Sequence, residues 1–177
     1  MSSVDEANLA PVGPDDHAIG ASDPKLTLIE YGDFGCQFCN AAKRPIESLL
    51  ERHPELRLVW RHLPDPELHL GADLAAELSE LAATNGRFWE AHSRLLTGRR
   101  EFSRDALMEV AEELELKRDE AVAAFEARTF RERVLADVAA GRRAGARGTP
   151  TFFLGGERLQ GPWRELAQLV PAKLAQR

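Results

Sequence analysis

Cysteine is scarce in this chain: its 177 residues hold only two, Cys36 and Cys39. Such scarcity excludes a scaffold held by several disulfides, and a chain of this length can bury a core without them. It also argues against structural zinc, because a C-x-x-C pair supplies two of the four ligands a closed site needs. The five histidines (His17, His53, His62, His69 and His92) are too scattered to provide the others at zinc-finger spacing. Neither a metal nor a cofactor is expected. Long apolar runs are missing as well, none approaching the roughly 20 residues that cross a bilayer. Cations are outnumbered, 23 Lys and Arg against 29 Asp and Glu, for a formal net charge of −6. That balance counts against nucleic acid or an anionic membrane as partner. Residues 1–20 lack the basic and apolar regions of a signal peptide. With Pro11, Gly13 and Pro14 they read as a flexible arm. The expected location is cytoplasmic, or periplasmic or extracytoplasmic if a leader was removed.

What is present is an ordinary globular composition, 44% hydrophobic and 29% charged, of one domain with room for an insertion. Leu26–Tyr31 alternates and reads as a buried strand. A helix follows from about Gln37 to His53, with Pro45 expected to kink it. Leu56–His62 is a second alternating strand, so residues 21–65 form a strand–helix–strand unit of the right-handed parallel kind. Residues 66–145 are almost all helical: Ala72–Ala83, Phe88–Leu96, a helix capped by Ser103, then Asp119–Ala127 and Arg131–Ala140. In residues 146–177, Thr151–Leu154 and Glu157–Gln160 flank Gly155-Gly156 as a hairpin. Pro162 then suits the first turn of a closing helix, Trp163 to about Leu174.

The chemistry lies where the first strand hands over to the first helix. Asp33-Phe34-Gly35-Cys36-Gln37-Phe38-Cys39 places one sulfur at a helix N-terminus. Unpaired N–H groups and the helix dipole favour an anion there, hence thiolate. Thiolate attacks disulfides, and a second cysteine one turn inward can resolve the mixed disulfide. A structural disulfide is the plainer alternative, but so short a loop removes little entropy from the unfolded chain.

The chain resembles the DsbA-like branch of the thioredoxin superfamily, a bacterial group. The resemblance is carried by Glu30-Tyr31-Gly32-Asp33-Phe34-Gly35-Cys36-Gln37-Phe38-Cys39, Trp60-Arg61-His62-Leu63-Pro64, Phe88-Trp89-Glu90-Ala91-His92 and Gly148-Thr149-Pro150-Thr151-Phe152-Phe153. In more detail it is similar to members that also occur fused to sodium/proton antiporters. This implies an α/β thioredoxin-like fold, a central mixed β-sheet flanked by helices. A helical domain is inserted between the βαβ half and the C-terminal β-hairpin and helix. It implies thiol–disulfide oxidoreductase activity on protein thiols or disulfides, with a redox-recycling partner still to be identified. Cys36 then matches the nucleophile, Cys39 the resolving cysteine, and Pro150 the cis-proline beside the sulfurs. Thr149 precedes that proline at the substrate-contacting position. Glu30 matches the acid buried beneath the cysteines, unless it faces solvent from an edge strand.

Between the cysteines stand Gln37 and Phe38, not the Pro-His of strongly oxidising periplasmic enzymes. With one thiolate-stabilising donor missing, a less oxidising couple is expected. Phe38 offers an apolar contact to substrates or packs on the insertion. His62 is expected to face solvent or cap a strand. Trp60, Phe88 and Trp89 are expected in the core, and Arg142, Arg143 and Arg147 at a solvated helix end. A rival reading is a redox-responsive binding module with little turnover.

Overall fold

The computed structural model describes residues 8–98 and 102–176, so the first seven residues of the expected arm lie outside it. The chain divides into two compact units. One comprises Met1–Gly32, Phe38–Arg61 and Ala139–Arg177; the other comprises Asp33–Gln37 and His62–Val138.

The first unit is built on a mixed five-stranded sheet of order β1-β3-β2-β4-β5. Its strands are β1 (His17–Gly20), β2 (Leu26–Gly32), β3 (Leu56–His62), β4 (Thr151–Leu154) and β5 (Glu157–Arg158). β2 lies between β3 and β4, so both of its edges are paired, and Leu26, Leu28, Ile29 and Tyr31, which point to both faces, are all buried. Helix α1 (Gln37–Arg52) joins β2 to β3 and runs through Pro45, burying Cys39, Ala42, Ile46 and Leu49 along one stripe. The β4–β5 hairpin turns on Gly155 and Gly156, whose φ angles of 63° and 93° suit a type I′ turn. After it, Pro162 precedes a short 3₁₀ turn (Trp163–Glu165) instead of opening the closing helix.

The expectation of a loose arm through residue 20 is corrected here. β1 pairs antiparallel with β3, His17 opposite Trp60 and Gly20 opposite Arg57. Arg61, buried on β3, holds the preceding segment. Its guanidinium donates to both carboxylate oxygens of Asp16 at 2.8 Å and to the carbonyls of Ala10 (2.9 Å) and Pro11 (3.0 Å). The strand escapes notice in the sequence because it is short and mostly exposed, with no apolar alternation to mark it.

The second unit is helical: α2 (Ala72–Thr84), α3 (Phe88–Thr97), α4 (Arg104–Glu113), α5 (Arg118–Ala127) and α6 (Arg131–Arg143). α2 is buried along nearly its whole length and packs against α3, α4 and α5. Ser103 caps α4 by accepting from the Ala106 N–H at 3.2 Å. At the end of α5, Arg128 reaches back to α2 and pairs with Asp73 and Glu77, each at 2.6 Å. The unit boundary falls inside α6. Gly141, near the end of α6, lies flat on the Tyr31 ring, where a Cβ would come within 2.8 Å. No helix among the described residues is long and apolar enough to cross a membrane.

Candidate active site

β2 ends at Gly32, and α1 begins at Gln37, so Cys36 stands immediately before the helix. Its N–H donates to the Asp33 carbonyl at 3.0 Å, closing a tight turn. Cys39 follows in the first turn of α1. Both cysteines are buried, with 5% of Cys36 and 1% of Cys39 exposed. The dipole of α1 favours negative charge at that end. Phe38 is 54% exposed, which answers the question left by its position: it is a surface residue beside the pair.

Asp33 organises the turn. It is 1% exposed. Its Oδ1 accepts from the Gly35 N–H at 2.7 Å, and its Oδ2 from the Asp65 N–H at 2.9 Å. The same Oδ2 lies 2.7 Å from Nδ1 of His69, in the loop between β3 and α2. Gly35 lies flush against that histidine: a Cβ on Gly35 would stand 2.4 Å from Cβ of His69. Neither Asp33 nor His69 stands out in the sequence as a site residue. They are 36 positions apart, and only the fold pairs them.

Glu30 is 3% exposed in the centre of β2, so the edge-strand alternative does not hold. It sits opposite Phe152 of β4, and Tyr31 sits opposite Thr151. The Thr149–Pro150 peptide bond leading into β4 is cis. Glu30, Cys39, Thr149 and Pro150 thus all belong to the sheet unit, while Cys36, Asp33 and His69 belong to the helical one. Past Pro150, a hollow of about 220 Å³ is lined by Thr151, Phe152, Arg158, Leu159 and Trp163.

His62 departs from expectation. It is 1% exposed, with Nε2 2.8 Å from Glu80 Oε1 on α2, and its N–H donates to Asp137 Oδ2 at 2.9 Å. Phe34 and Phe88 meet its ring edge-on. A buried imidazole needs a partner, and α2 supplies one from a residue that sequence alone would assign to a charged surface. Trp60 and Phe88 are buried as expected, and Arg142, Arg143 and Arg147 are exposed at and beyond the end of α6.

Residues 13–170 match the family model described as thioredoxin. Among curated proteins, the Na(+)/H(+) antiporter NhaA 3 of Salinispora tropica is 39% identical over 156 residues, 88% of this chain and 24% of that protein. The chain therefore spans about a quarter of the length of the curated relatives it matches. Among solved structures, a thioredoxin-like oxidoreductase from Silicibacter pomeroyi superposes with a TM-score of 0.80 at 23% identity, covering 92% of this chain and 94% of that one. Oxidised BdbD from Bacillus subtilis gives a TM-score of 0.79 at 18% identity, covering 94% and 97%. At such identities these two likenesses concern the fold.

Proposed function

Because the chain belongs to the thioredoxin family, we propose that it is a thiol–disulfide oxidoreductase exchanging disulfides with protein substrates through Cys36 and Cys39. The observation that carries this reading is the placement of Cys36 directly before α1 with Cys39 one turn inside it. In the reductive direction the Cys36 thiolate attacks a substrate disulfide. A Cys36–substrate bond forms and one substrate thiolate leaves. Cys39 then attacks Cys36 Sγ, forming the Cys36–Cys39 disulfide and releasing the second substrate thiolate. The two electrons that reduce the substrate come from the dithiol. A separate dithiol donor must restore it, and an electron acceptor takes that place in the oxidative direction. Glu30, buried on β2, takes the proton of Cys39 as that thiol becomes a nucleophile. Thr149 and Pro150 hold an extended substrate segment through backbone contacts beside β4, and Phe38 adds apolar contact.

The reduction potential of the Cys36–Cys39 couple, equilibrated against glutathione, tests the reading and sets the direction. A value near −270 mV, roughly the thioredoxin range, marks a reductase suited to a cytoplasm. One near about −120 mV marks a strong oxidant suited to an extracytoplasmic compartment. A bond more stable than roughly −300 mV is structural and sinks the catalytic reading. The match to antiporter-named relatives favours one alternative, a redox-responsive module whose disulfide state tunes affinity for a partner. Absent insulin reduction together with redox-dependent partner binding would select it.

A further inference from the structure

We propose that His69, seated on the buried Asp33 and flush against Gly35, is the positioning residue that sets the reactivity of Cys36. This rests on the redox reading above, and deepens it by naming where the missing thiolate support comes from. The dipeptide Gln37-Phe38 places no cation or imidazole between the cysteines. The helical unit places an imidazole one residue away instead, against the backbone of Gly35.

Charge makes this placement matter. Asp33 accepts from the N–H groups of Gly35 and Asp65, and Nδ1 of His69 lies on the oxygen already shared with Asp65. A carboxylate serving several donors at once acts as an ionised acceptor. That carboxylate lies buried three residues before a thiol that must become negative. Two like charges so placed oppose one another. His69 meets that carboxylate through Nδ1, 2.7 Å from Oδ2. The same loop carries Asp65, whose backbone N–H donates to Asp33, and Glu67, whose N–H donates to Asp65. Both are anionic, so His69 alone among them can offset Asp33. Its side chain keeps 27% exposure. The close approach at Gly35 explains the geometry, since any side chain there would drive the ring off the turn.

The step affected is loss of the Cys36 thiol proton to solvent; His69 forms no bond to sulfur and acts through charge and loop position. The test is the pH profile of Cys36 alkylation by iodoacetamide in the reduced full chain, read by peptide mass spectrometry. The variants are H69A, H69Q and the double variant D33N/H69A, each with a thermal melt. We expect H69A to slow alkylation at neutral pH about tenfold and to move the profile upward, equivalent to roughly one pH unit. D33N/H69A, lacking the anion, should recover most of the loss. An unshifted H69A profile overturns the proposal, as does a slower rate at every pH with the midpoint unmoved. Should H69A fail to fold, H69Q decides, since it keeps size and a donor but no charge: an upward shift supports, and no shift overturns. Alkylation needs no turnover. Hence a His69-dependent profile without insulin reduction rejects only the oxidoreductase reading, and turnover with a flat profile rejects only this one.

Discussion

Gly32 at the end of β2 and Trp60 on β3 meet so closely that a methyl group on Gly32 would lie 2.2 Å from Cη2 of the indole. Trp60 is fully buried, and Gly32 is the last residue before the turn that carries the cysteines. The absent side chain is therefore what lets the turn leave the sheet over an intact aromatic core. We expect G32A to cost about 2 kcal/mol, since overpacking a filled core forces side chains off their rotamers. Urea denaturation measures this. A variant as stable as the parent would mean the indole moves aside freely.

Arg61 and Asp16 form the second buried node. Burial works against the guanidinium charge, but the hydrogen bonds to Asp16 and Tyr31 outweigh it, and the group ionises even more firmly than a free arginine. A raised value contributes stability that is fully present below the unfolded value and is lost only above it, in strong alkali. Arg61 therefore adds no pH dependence near neutrality. Its partner is the weak point. D16A leaves a buried cation unmatched and should cost about 3 kcal/mol, releasing β1 from β3. Hydrogen exchange of the His17–Gly20 amides would reveal that release, and unchanged protection would count against it.

These nodes also show what was legible in the sequence. β2, β3, the hairpin and the helices could be read because their apolar residues repeat at strand or helix period, a property local to each segment. Cys36 and Cys39 could be read because spacing and context carry their chemistry. The pairs that settle the polar interior could not. Arg61 meets Asp16 across 45 positions, His69 meets Asp33 across 36, and His62 meets Glu80 across 18. Each residue alone looks like surface, because nothing local distinguishes a charge that finds a partner in the interior from one that stays in water. β1 stayed hidden because it is short and mostly exposed, and what holds it is its pairing with β3.

Phe38 gives a separate prediction, because it is exposed and its removal uncovers no core. F38A should leave stability within about 0.5 kcal/mol of the parent. If the ring meets substrate, losing its apolar contact should raise KM for a peptide disulfide about fivefold, near 1 kcal/mol, with kcat little changed. A kcat effect with KM unmoved would instead place Phe38 in the chemistry of the cysteine pair.

Glu30 should trade stability against turnover. It is buried in the central strand, where keeping a carboxylate dry costs free energy that a neutral amide of the same shape avoids in part. E30Q should therefore be more stable than the parent by about 1 kcal/mol, measured by urea denaturation. The same substitution removes a group able to take the proton of Cys39. The second step, in which Cys39 releases the substrate from Cys36, should slow roughly tenfold or more. The first step, attack by Cys36, should keep its rate because that thiolate forms at the helix N-terminus. Acid-quench trapping of the mixed disulfide separates the two: E30Q should accumulate it where the parent does not. Equal slowing of both steps would place Glu30 in the architecture of the strand rather than in the proton path, and a less stable E30Q would mean that the carboxylate is held by bonds an amide cannot replace.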